Sequence, residues 1–95
     1  MNIVHSNTTT RSQDVRDIMN SDQAHKVTDI MYKELAKYGY NESNIRKLLI
    51  DRQLKVNPRE DRIEVVLRGK PIFNILVSHI KVGSSIIYDC DISAV

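Results

Sequence analysis

Two periods divide the chain. Up to about residue 52 the apolar positions recur at helical spacing, and from Arg62 onward they alternate with polar ones, as along a half-buried strand. Val15, Ile18 and Met19 make one short apolar face, preceded by Thr10 and Gln13 at capping-box spacing. Ala24, Val27, Met31, Leu35 and Tyr38 make a longer stripe, the core side of a second helix. Asn20 is placed to cap that helix, Gln23 to reach back, and Asp22 to favour its first turn.

Gly39 is positioned to end this helix in the left-handed conformation, with Leu35 and Tyr40 supplying the apolar contact of a Schellman stop. Asn41 then caps a third helix from about Glu42 to Arg52, and Tyr40 and Ile45 hold the two positions of a hydrophobic staple. This helix buries Ile45, Leu48 and Leu49 and leaves Arg46, Lys47 and Ile50 outside. Pro58 excludes helical geometry at Asn57, so 57–61 reads as a loop. Residues 1–9 are polar and aperiodic, a loose arm ahead of a single domain spanning 10–95.

In the second half, Arg62 to Arg68 is a strand, Gly69-Lys70 a two-residue turn, and Pro71 to Val82 the returning strand. A loop of Gly83-Ser84-Ser85 leads to a last strand, Ile86 to about Ala94. The fold class predicted is α+β, with two or three N-terminal helices packed on a C-terminal three-stranded antiparallel β-meander. Pairing Leu67 with Ile72, Val65 with Asn74 and Ile63 with Leu76 collects Ile63, Val65, Leu67, Ile72, Leu76 and Ile80 on one face. The three-residue loop adds Ile86, Tyr88, Cys90 and Ile92 to it.

The opposite face carries Arg62, Glu64, Arg68, His79, Lys81, Asp89 and Asp91, but also Val66, Phe73, Ile75 and Val77. That is too apolar for a solvated face, and it requires a second cover: the N-terminal helix or another molecule. Phe73, Ile75, Val77 and Val66 are therefore the expected protein interface, buried in a homodimer.

Composition is consistent with a small folded domain, since 41% of the 95 residues are hydrophobic and 27% charged. So short a chain buries a modest core, which favours self-association. The net charge of +2 is concentrated in the middle third, where residues 41–70 carry eight basic and five acidic groups. Cys90 is the only cysteine, the N-terminus lacks a basic opening followed by an apolar run, and no stretch is long and apolar enough for a membrane span. A cytoplasmic protein with no membrane partner is expected.

Candidate chemistry is sparse. Cys90, His5, His25 and His79 lack the paired spacing of a metal site, and Gly39, Gly69 and Gly83 are each accounted for by a turn, so neither metal nor cofactor is expected. In the three-residue-loop register His79 faces Asp89 with Asp91 close by, which reads as a cross-strand pair without a nucleophile. No catalytic residue is assigned, and the chain is not expected to be an enzyme. Lys26, Lys33 and Lys37 share a stripe of the second helix, a solubilising row with Asp29 placed to pair with Lys33.

The expectation is a non-catalytic regulatory or inhibitory module acting through contact with another protein, as a homo-oligomer. The alternative is a winged-helix-like nucleic-acid-binding regulator, reading with helix 42–52 through Arg46, Lys47 and Arg52 and with Arg68 and Lys70 at the tip of the 62–82 hairpin. Against it stand Asp51 and Glu42 on the reading helix and Leu35 where a small residue would let the helices close.

Overall fold

The computed structural model describes residues 12–95. Three helices, α1 (Ser12–Met19), α2 (His25–Ala36) and α3 (Glu42–Ile50), precede four strands, β1 (Leu54–Pro58), β2 (Ile63–Leu67), β3 (Lys70–Val82) and β4 (Ser85–Ala94). The strands form one antiparallel sheet in the order β1-β2-β3-β4. The α+β class and the meander are as the sequence predicts, with one strand more. The expected N-terminal arm and the Thr10 cap lie outside the described residues.

The α2–α3 junction follows from local chemistry. Gly39 has φ +95°, the Tyr40 N–H donates to the Leu35 carbonyl and the Gly39 N–H to the Ala36 carbonyl, the two bonds of a Schellman stop. Asn41 Oδ1 accepts the Asn44 N–H at 2.8 Å and starts α3. The other end of α3 uses the same device with a less suitable residue. Arg52 sits at φ +59°, its N–H donates to the Leu49 carbonyl and the Gln53 N–H to the Leu48 carbonyl. The chain reverses there and enters β1, a strand the sequence conceals because no glycine marks the stop.

The start of α2 corrects an expectation. Asn20 does not cap it; its side-chain amide donates to the Arg16 carbonyl at the end of α1, and the cap position of α2 is Ala24, with no side-chain bond. Gln23 does not reach back, because its amide bonds the backbone of β4 instead.

The register of the sheet decides which residues are core. The first hairpin turn is Arg68-Gly69, not Gly69-Lys70, with φ +51° and +81°, as a type I′ turn requires, so Leu67 pairs with Lys70. The pairing then steps from Val66 with Pro71 to Val65 with Phe73, leaving Ile72 as an extra residue. This β-bulge reverses the facing of the rest of β3 relative to β2. Phe73, Ile75 and Val77 thereby join Ile63 and Val65 beneath the helices, each at most 1% exposed. The second turn has two loop residues, Gly83-Ser84, not three, and Val82 pairs with Ser85. The two one-residue shifts cancel, so Tyr88, Cys90 and Ile92 share the core face with Val77 and Ile75.

The core holds Val15 and Ile18 from α1, Val27, Met31 and Leu35 from α2 and Ile45 from α3 against Leu54, Ile63, Val65, Phe73, Ile75, Val77 and Tyr88 of the sheet. The described helices all pack on this face. β2 ends opposite Ile75, so beyond that point β3 and β4 continue as a two-stranded ribbon. α1 packs on β3 there.

Candidate protein-binding surfaces

The expected interface is not available to a partner. Phe73, Ile75 and Val77 are the centre of the domain's own core, and Val66 on the opposite face is only 9% exposed. The cover they require is supplied within the chain, with Val15 and Ile18 of α1 in the same cluster as Val77.

The apolar surface that remains is elsewhere. Ile80, Val82, Ile86 and Ile87 are 41%, 56%, 40% and 40% exposed, and all four lie at the far end of the β3–β4 ribbon. Ile80 and Ile87 are directly opposed, with Val82 next along the same face, while Ile86 points to the helical side. Aliphatic side chains gather on both faces of one hairpin end, past the last strand that could support it, and the described residues leave them exposed. The sequence hid this surface because two of its residues, Ile80 and Ile86, belonged to the core face in the predicted register.

A polar cluster lies at the base of the ribbon. His79 faces Tyr88 across the strands, not Asp89, with ring centroids 6.4 Å apart at an edge-on angle of 61°. Its Nδ1 is 2.8 Å from Oδ1 of Asp14, a residue of α1 that is 3% exposed. Burial, with Asp17 and Asp14 nearby, raises the Tyr88 phenol above its ordinary value. A carboxylate orienting a histidine supplies two of the three members of a catalytic triad. Among the described residues, however, His79 has no hydrogen bond to a serine, threonine or cysteine.

The residues of the nucleic-acid alternative are partly brought together. The Arg68 N–H donates to the Gln53 carbonyl, which places the β2–β3 turn against the end of α3. Lys47 and Arg68 then line one groove with Tyr40, Asn44 and Asp51. Arg46 is turned to Glu42 at 3.1 Å, and Arg52 is held in the left-handed stop. Lys70 opens β3 and is exposed. The 62–82 hairpin is not a projecting wing, since β1 and β4 flank it on either side and make it the centre of the sheet.

The lysine row is also divided. Lys26 Nζ donates to the Tyr88 carbonyl and to Gln23 Oε1, each at 2.9 Å, while Lys37 pairs with Glu34 at 3.2 Å in place of the expected Asp29–Lys33 contact. Among the described residues, no three His, Cys, Asp or Glu side chains lie together as a metal site would require, and no helix is long and apolar enough to cross a membrane. No family model matches the chain, and neither a curated protein nor a solved structure is similar to it.

Proposed function

We propose that the chain is a non-catalytic regulatory or inhibitory module that acts through protein–protein contact, and that the tip of the β3–β4 hairpin is where a second copy of the chain meets it. The observation that carries this reading is the cluster of Ile80, Val82, Ile86 and Ile87, exposed together on the one part of the sheet that has two strands only. Burying such side chains is worth roughly 1.5–3 kcal/mol each when complete, enough for a few of them to drive association. A symmetric dimer would place Ile80 and Ile87 against their own copies.

Sedimentation across micromolar concentrations tests it. The intact chain is expected to sediment as a dimer, and Ile80→Asp or Ile87→Asp as a monomer with unchanged helical content. A monomer at every concentration removes the tip as a self-contact.

The second reading, nucleic-acid binding, has one observation in its favour: the Arg68–Gln53 bond gathers Lys47 and Arg68 on one groove. Asp51 in that groove and Glu42 beside Arg46 oppose it. An electrophoretic titration with duplex DNA at two salt concentrations separates the readings, because phosphate-driven binding must weaken steeply with salt.

A further inference from the structure

We infer that the free edge of β4 from Cys90 to Ala94 is a strand-addition site for an extended, basic segment of another protein, an inference that rests on the protein-binding reading above. β4 is the last strand of the sheet, and it is ten residues long. Its backbone orientation is set by bonds at one end. Tyr88 gives its N–H to Gln23 Oε1 at 3.0 Å and receives Lys26 Nζ on its carbonyl at 2.9 Å, while the Ile86 carbonyl receives Gln23 Nε2 at 2.8 Å. Both backbone groups of Tyr88 therefore point away from β3.

Antiparallel pairing alternates with a period of two, so Cys90 and Ile92 turn their N–H and carbonyl groups to the same edge. Among the described residues nothing bonds to them there. The primary amide of Gln23 bonds the Ile86 carbonyl and the Tyr88 N–H, two outward backbone groups that a fifth strand would otherwise meet. The edge is thus satisfied by side chains over its first residues and left open over the rest. Such an open row of backbone groups is the template used in strand addition. Beside it runs an open groove of about 610 Å³ between α2 and β4, lined by Ile30, Tyr32, Lys33, Tyr88 and Cys90 among others.

Charge selects the occupant. Asp89 and Asp91 stand on the outer face on either side of Cys90, and Asp29 and Glu42 line the groove. Of the two groove lysines, Lys26 is already bonded to Tyr88 and Gln23. A second copy pairing antiparallel about Cys90 would set Asp89 of one copy against Asp91 of the other, twice. Pairing about Asp89 or Asp91 would set that carboxylate against itself. Like charges directly opposed destabilise a strand pair, whereas lysine or arginine at alternate positions would pair with both aspartates.

The probe is a synthetic peptide of alternating lysine and valine, added to the full chain while backbone amide exchange is followed by NMR. Without peptide, the Cys90 and Ile92 amides are expected to exchange as exposed groups, and with it to slow by about tenfold or more. An alternating glutamate–valine peptide should give no protection, and Asp89→Lys with Asp91→Lys should reverse that preference. Cys90→Pro should abolish binding with the sheet intact, because proline is tolerated where an edge N–H faces outward.

Amides already protected in the free chain, or equal binding by a lysine peptide N-methylated along its bonding edge, would overturn the inference. Ile80→Asp acts on the tip and Cys90→Pro on the edge. An unaltered chain that is monomeric at every concentration yet shows peptide protection therefore counts against the tip alone, and an unaltered chain that self-associates but shows no protection counts against the edge alone.

Discussion

His79 and Asp14 join the sheet to the first helix, Nδ1 to Oδ1 at 2.8 Å across 65 positions of sequence. The second carboxylate oxygen of Asp14 is buried with no hydrogen-bond partner among the described residues. Among the described residues the pair is the single polar side-chain tie of α1 to β3, made where a lost partner leaves a buried acceptor unsatisfied. His79→Ala is expected to destabilise the domain by about 2 kcal/mol, more than a surface histidine would. Adding Asp14→Ala should cost less than the two single changes summed, as urea unfolding of the four variants would reveal. Additive costs would mean that the two side chains do not act as a pair.

Phe73→Ala distinguishes core from interface. At 1% exposure its ring is packed among helices and strands, so truncation should cost about 3–4 kcal/mol and lower the denaturant midpoint sharply, at any protein concentration. A variant that folds normally and only loses a dimer would return Phe73 to the interface.

Two helix stops of the same geometry make opposite predictions. Gly39 occupies φ +95° at no steric cost, and Gly39→Val should lose about 1 kcal/mol or more. Arg52 occupies φ +59° with a full side chain, and Arg52→Gly should gain about 1 kcal/mol. Thermal melts of both variants check the pair of signs.

The Cys90 thiol is pushed up to about 11, chiefly by burial and then by Asp89, with Lys26 opposing and Asp91 adding to the rise. Alkylation by iodoacetamide at neutral pH should therefore run about a hundredfold slower in the folded chain than in denaturant, following the thiolate fraction. A raised folded-state value means that the unfolded chain releases this proton first as pH increases. The stability linked to it is full at neutral pH and is lost progressively from about pH 9 to 11.

What the sequence determined by itself is the local part. The Gly39 stop, the Asn41 cap and the change from helical to strand period depend on backbone angles and on bonds within a few residues, and each is written in the residues that make it. The surfaces depended on facing, which no local rule sets. β3 is apolar on both sides, so its pattern is equally compatible with either side turned to the helices, and a one-residue slip exchanges them. The bulge at Ile72 and the two-residue turn at Gly83-Ser84 made that choice. They sent Phe73, Ile75 and Val77 inward and left Ile80, Val82 and Ile87 at the tip. Gln23 illustrates the same limit: its position suited a helix cap, and only the approach of β4 gave its amide two backbone groups to bond instead. The free edge beyond that contact is likewise a property of strand order, which exists only once the sheet has formed.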